Sequence, residues 1–185
     1  MKMNLRVGKG VDTYIRKLEN FADASDGMLR ATIYPGAKVI ADEIRNAIEE
    51  LPEIDRTPRD KSSEPKVRRP DNRKQRQRNH GKKQKGVTRL EKEGLLEGLG
   101  IAKMRYNGSL LNTKIGMDGY NKHVTEKWPK GHPNVMIARS VENGTSFRQK
   151  TPFISTTARA NKHRAERHMK AEFDKQAAKQ WNQGG

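Results

Sequence analysis

TRLEKEGLLEGLGIAKMRYNGSLLNTKIGM, residues 88–117, changes hydrophobic period partway along, and that change decides the fold class. Thr88 and Glu91 fit a capping box, in which the hydroxyl and the carboxylate each satisfy a backbone N–H of the first helical turn. The spacing predicts a short helix to about Leu96, closed by Gly98 or Gly100. From Ile101 the pattern alternates. Ala102, Met104 and Tyr106 oppose Lys103 and Arg105; after the turn Leu111, Thr113, Ile115 and Met117 oppose Asn112 and Lys114. Asn107-Gly108 between the two runs is a strong hairpin signal, because both residues tolerate positive φ. The expectation is a two-stranded antiparallel ribbon, 101–106 with 110–117, burying one face. Such a ribbon is stable only when other elements cover it.

Helices flank the ribbon on both sides. Upstream, Val11, Tyr14, Ile15, Leu18, Phe21 and Ala22 mark one face of a helix that Gly27 is expected to break. Leu29, Ile33, Ala37, Ile40, Ile44, Ile48 and Leu51 continue as a second stripe over about 26–51, with a kink or restart at Pro35 and a stop at Pro52. Residues 3–7 read as a short strand or an extended arm. Downstream, 118–131 reads as a polar loop. Residues 133–141 are predicted helical with Val135, Met136, Ala138 and Val141 inward, and Asn143-Gly144 offers a C-cap. Thr151 as cap and Pro152 at the first helical position open a last helix. Its narrow stripe is Ile154, Ala158, Ala165, Met169, Phe173, Ala177 and Trp181, and its opposite face holds Arg159, Lys162, Arg164, Arg167, Lys170 and Lys175. The fold class is α+β: long helices packed on a small antiparallel β-sheet.

Composition narrows the function. The chain has 185 residues with 39 Lys and Arg against 22 Asp and Glu, a net charge of +17, and only 32% of it is hydrophobic. A large single-core enzyme domain is unlike this, and the pI near 10.2 favours acidic partners, nucleic acid first. Ten of the excess charges lie in RTPRDKSSEPKVRRPDNRKQRQRNHGKKQK, residues 56–85, where 13 Lys and Arg face three acids and Val67 is the only hydrophobic side chain. Such a stretch buries too little to offset about 1–2 kcal/mol of ordering entropy per residue. It reads as a basic loop or arm, 56–86, inserted between an N-terminal helical part (1–55) and the 87–185 part of the same domain. Its candidate contact residues are Arg68, Arg69, Arg73, Lys74, Arg76, Arg78, Lys82, Lys83 and Lys85, facing either phosphates or an acidic protein ring. A solvated loop that only keeps the protein soluble is the plain alternative. The segment has no aromatic residue for base stacking.

Catalytic and metal signatures are not found. There is no Cys, which excludes disulfides, thiolate zinc sites and Cys nucleophiles. His80, His123, His132, His163 and His168 lack helical metal spacing. Gly8-Lys9-Gly10 lacks the phosphate-loop spacing, Gly94, Gly98 and Gly100 make no dinucleotide fingerprint and read as turn and helix-stop glycines, and no nucleophile elbow occurs. No catalytic residue, metal or cofactor is expected. Neither a membrane span nor a secretory signal is read.

Three further stretches carry a family resemblance. VTRLEKEGLLEGLG (87–100), KIGMDGYN (114–121) and PNVMIARSVENGTSF (133–147), followed by TPFI (151–154), resemble the tail-completion, or head–tail connector (neck), family of tailed bacteriophages. The resemblance covers about 26–51 and 87–180, and departs at Pro35 and at the basic insertion. It singles out a turn and helix start made by Val141, Glu142, Gly144, Thr145, Pro152 and Phe153. It implies a non-enzymatic virion protein of the head–tail junction or tail end, assembled in the host cytoplasm into a homo-oligomeric, hexameric ring. The implied partners are neck, head-closure and tail-tube proteins, with viral DNA passing through the ring. In such a ring residues 56–85 are expected to project toward the lumen or an acidic neighbouring ring, ordering on assembly. The competing reading is a non-sequence-specific nucleic-acid-binding protein with a basic arm.

Overall fold

The structure is a computed structural model and describes residues 9–54, 83, 85–108, 110–124, 126–145 and 148–183. The expected arm at 3–7 and nearly all of the basic insertion lie outside these residues. The fold is α+β. In chain order the elements are α1 (Lys9–Glu49), α2 (Arg89–Gly98), β1 (Leu99–Ile101), β2 (Arg105–Asn107), β3 (Leu110–Asn112), β4 (Ile115–Met117), α3 (Asn134–Asn143) and α4 (Phe153–Gln183). Contacts divide the chain into two compact units: Met1–Ile40 with Ile101–Lys114 and Asn161–Gly185, and Ala41–Gly100 with Ile115–Ala160.

The first unit is built on α1. Neither the break expected at Gly27 nor the restart expected at Pro35 occurs, and α1 is one helix through both. A helical Gly costs only about 1 kcal/mol relative to Ala, and Pro35 forfeits a single backbone donor. Around Pro35 the buried residues Met28, Thr32, Gly36 and Ala37 hold the helix together, and at Gly27 the cost is small enough for the helix to continue. The inward residues are Met28, Thr32, Gly36 and Ala37, whereas Leu29 is exposed, so the stripe is turned by one residue from the expected one. Thr32 sits on this buried line because its hydroxyl donates to the Met28 carbonyl at 2.7 Å, so its polarity carries no penalty. At Gly36 a Cβ would stand in the space filled by the Met169 side chain, so that side chain packs directly on the backbone of α1. Nearer the helix ends the Tyr14 and Trp181 rings meet edge-on at 5.8 Å. The contact order, Tyr14 with Trp181 and Gly36 with Met169, makes the two helices antiparallel. On α4 Ala165 is fully buried, while Met169, Phe173 and Ala177 are half-buried.

The expected continuous ribbon is two short ladders. β2 pairs with β3 in the register Arg105↔Asn112, Tyr106↔Leu111, Asn107↔Leu110, and β1 pairs with β4. Between them the Thr113 hydroxyl donates to the Ala102 carbonyl at 2.6 Å, a side-chain bond where the ladder lapses. The ribbon face expected to be buried is only partly covered: Leu111, Ile115 and Met117 are half-buried and Tyr106 is exposed. Gly108 takes the positive φ, 61°, that the Asn-Gly turn required.

In the second unit α2 packs on α3 and both pack on β4. Its core is Ala41, Ile44, Ile48 and Leu51 from α1 and the turn after it, Leu95 and Leu99, Ile137, Ala138 and Val141, with Val87 and Phe153. The capping box is formed: Glu91 N donates to Thr88 Oγ1 and Thr88 N to Glu91 Oε2. α2 ends at Gly98, one of the two expected stops, and the chain enters β1 directly without a turn. Gly94 and Gly98 are instead close-approach glycines four residues apart. A Cβ at Gly94 would lie 2.6 Å from Asn134 Oδ1, and one at Gly98 2.3 Å from the Asp118 carbonyl. On α3, Val135 and Met136 face outward, against expectation. The inward set is Asn134, Ile137, Ala138 and Val141, the i, i+3, i+4, i+7 face. Asn134 can occupy a core position because its Nδ2 donates to the Asp118 carbonyl.

The base of the basic insertion is clipped shut. Ile54 N donates to the Val87 carbonyl at 2.8 Å and Val87 N to the Pro52 carbonyl at 3.0 Å. Lys92 then ties the clip to α2 through the Leu51 carbonyl and the Glu53 carboxylate.

Tyr106 anchors the hairpin on α1. The Tyr106 hydroxyl donates to Asp26, whose other oxygen accepts from Arg30 Nε at 2.9 Å. The tyrosine first, and Arg30 second, hold the Asp26 carboxyl below its ordinary 3.8. A carboxyl depressed in this way contributes above its unfolded pKa and loses that contribution as pH falls through the folded value. The contact therefore persists at neutral pH and weakens in acid. Tyr106→Phe should raise the Asp26 pKa toward 3.8, read from the pH titration of its carboxyl carbon resonance.

Candidate functional site

The six residues of the turn and helix start converge on one place, the foot of α4. Val141, on the last turn of α3, is buried, and its carbonyl accepts from Thr151 N at 2.8 Å. Asn143 ends the helix and Gly144 follows at φ 73°, the predicted cap. A Cβ at Gly144 would also stand 2.9 Å from Lys150 N. Conformation and space both call for glycine here. The chain then reverses through Thr145, whose N–H donates to the Arg148 carbonyl and whose hydroxyl accepts from Arg148 N, both at 3.0 Å. Pro152 is exposed and Phe153 is buried against the second unit's core.

The cap of the last helix is not the expected one. α4 begins at Phe153, with Thr151 and Pro152 outside it. Its first free N–H groups are satisfied by Glu142: Ile154 N donates to Oε2 at 2.8 Å and Ser155 N to Oε1 at 3.0 Å. A carboxylate at a helix N-terminus accepts its orphan donors and opposes the positive end of the helix dipole. A residue at the end of α3 thus starts α4, and the distance in sequence hid it.

Arg148 was not marked by any motif and is the most buried charge at the joint, at 5% exposure. Its Nη2 donates to both Glu91 oxygens at 2.8 Å, and its Nη1 to Ser140 Oγ at 2.8 Å. Glu91 is also the capping-box residue of α2, so one carboxylate serves the start of α2 and the charge of Arg148. The turn 144–148, α3 and the N-terminus of α2 are joined through this ion pair. Beside it lies an open cavity of about 510 Å³, with His132, Met136 and Arg139 on its walls. Ser140 Oγ faces a cation and donates to the Ile137 carbonyl at 2.9 Å, so its proton is committed to the helix. The geometry is that of a structural lock.

The basic candidates divide differently. Arg68, Arg69, Arg73, Lys74, Arg76, Arg78 and Lys82 lie outside the described residues; Lys83 and Lys85 are described and exposed. On α4 Arg159, Lys162, Arg167, Lys170 and Lys175 are exposed, with Lys162 near Glu166 at 3.7 Å and Lys175 near Glu172 at 3.8 Å. Among the described residues no group of three or more His, Asp or Glu side chains is placed to hold a metal ion, and no helix is long and apolar enough to cross a membrane.

No family profile, curated protein or solved structure matches this chain.

Two substitutions separate the parts of the joint. Removing one partner of a buried ion pair strands the other charge, so Arg148→Met should lower unfolding free energy by about 3–5 kcal/mol. Glu142→Ala removes a cap and should cost about 1 kcal/mol. Urea denaturation followed by circular dichroism measures both.

Proposed function

We propose that this chain is a structural protein of a tailed-phage neck or tail end, forming a ring that completes the tail, joins tail tube to head and lets DNA pass. One observation carries the reading. The residues on which the family resemblance rests act together as one mechanical joint: Val141 and Phe153 buried, Gly144 in the left-handed region, and Glu142 on the N-terminus of α4. A motif whose members all serve to set one helix on another is what a subunit that must hold shape in an assembly needs. The excess charge fits the same role. Residues 56–85 and the outward face of α4 supply cations around a passage for DNA, and phosphate contact of this kind carries no sequence information. The ring is homo-oligomeric, and its neighbours are the head-closure and tail-tube proteins.

Negative-stain microscopy of the purified chain should find closed rings, and the protein should co-purify with phage tails. Replacing 56–85 by a short Gly-Ser linker should leave the fold intact, since the segment's ends are already clipped together at Ile54 and Val87. It should lower DNA retention in assembled particles. A protein that stays monomeric and binds duplex DNA with a steep salt dependence would instead support the reading as a non-specific nucleic-acid-binding protein.

A further inference from the structure

The two units bury very different amounts of apolar surface. Among the described residues the second has eleven fully buried hydrophobic side chains, and the first has Met28, Ala37 and Ala165. The first unit also carries most of the large hydrophobic side chains left exposed, among them Ile15, Leu18, Leu29 and Leu110. Scattered exposed apolar residues need no explanation, but contiguous ones mark interaction surfaces. Here they fall into two patches of different shape and charge.

The first patch is a stripe on α1. Ile15, Leu18, Ala22 and Leu29 follow one another at steps of three, four and seven, all exposed. Along one edge of the stripe run Glu19 and Asp23, also exposed, with Arg16 farther round the helix. The second patch is the outer face of the β2–β3 hairpin. Tyr106 reaches Asp26 on α1, so that side of the hairpin faces the helix. Side chains alternate along a strand, and the register pairs Arg105 with Asn112 and Asn107 with Leu110. Arg105, Asn107, Leu110 and Asn112 therefore share the face turned away from α1, and Lys103 and Lys114, both exposed, lie beyond it at the open end of the hairpin. This face is cationic around a single apolar knob, Leu110, which is 72% exposed.

We propose that the hairpin face of one copy docks on the α1 stripe of the next, Leu110 entering the apolar line and Lys103, Arg105 and Lys114 meeting Glu19 and Asp23. The occupant is a second copy of this chain because the knob and the stripe are complementary in both hydrophobicity and charge and lie on the same unit. A contact between two different patches is heterologous, and it closes into a ring when the rotation between copies allows. The inference rests on the ring reading above and names the surfaces that would build it.

The test uses the full chain and native mass spectrometry. Wild type should form rings. Leu110→Asp and Leu18→Asp both change exposed side chains, so each variant should keep its helical circular dichroism. Each should weaken the contact by about thirtyfold or more and give monomers. Mixed in equal amounts, the two should form one-to-one dimers, since one retains the stripe and the other the knob. Lys103→Glu with Arg105→Glu should weaken assembly, and Glu19→Lys with Asp23→Lys in the same chain should restore it. Rings that persist in either aspartate variant, or folded variants that fail to pair when mixed, would overturn this interface and leave the ring reading standing. A monomeric wild type would overturn both. Rings that depend on Leu110 and Leu18 but never join phage tails would overturn the phage function alone.

Discussion

A buried guanidinium has to be neutralised where it lies, and the second unit is organised around that requirement. Arg148 is withdrawn from water on a reversing turn, and Glu91 answers it from the first turn of α2. Burying such a pair is not a source of stability in itself, since desolvation offsets much of the attraction. Its value is positional. Glu91 can accept from Arg148 and from Thr88 N together only when α2 begins where it does. Arg148 can reach Ser140 only when α3 lies alongside. Glu142, one helical turn from the same place, then fixes where α4 starts. Two helix starts are set by two carboxylates.

Small residues complete what the charges begin. Gly94 and Gly98 let Asn121 and Asn134 press against α2 at distances no side chain would permit. Those two asparagines organise the segment between β4 and α3: Asn121 Oδ1 accepts from the N–H groups of His123 and His132. The polar stretch read as a loop is thus held by the Asn121 amide together with a short antiparallel bridge, in which Asn121 N donates to the His132 carbonyl and Asn134 N to the Gly119 carbonyl. Its order depends on glycines some 25 residues upstream.

Much of the architecture was legible in the sequence, and the failures share a cause. The capping box at Thr88, the Asn107-Gly108 turn and the Gly144 cap are local devices whose partners lie within a few residues, and they read correctly. Gly27 and Pro35 read as breakers by local rules, but α1 runs through both, with buried residues on each side of Pro35. Val135 and Met136 read as inward because they are apolar, while Asn134 holds the buried position with its amide nitrogen donating to the Asp118 carbonyl of another segment. Glu142 was noticed only as part of a motif. Its capping role spans 12 residues and needed coordinates, as did the 57-residue reach from Arg148 to Glu91. Polar residues satisfied at long range leave no periodic trace.

The closed clip at Pro52, Ile54 and Val87 has an evolutionary consequence. The two chain ends leave the core already paired, so the clip itself sets no length for what is threaded between them. Lengthening such an excursion costs little, since loop entropy grows only with the logarithm of length. The position therefore behaves as an insertion port. Related sequences should differ there in length and charge, drifting rapidly or exchanging whole segments. Leu51, Val87 and Lys92 around the port should change slowly.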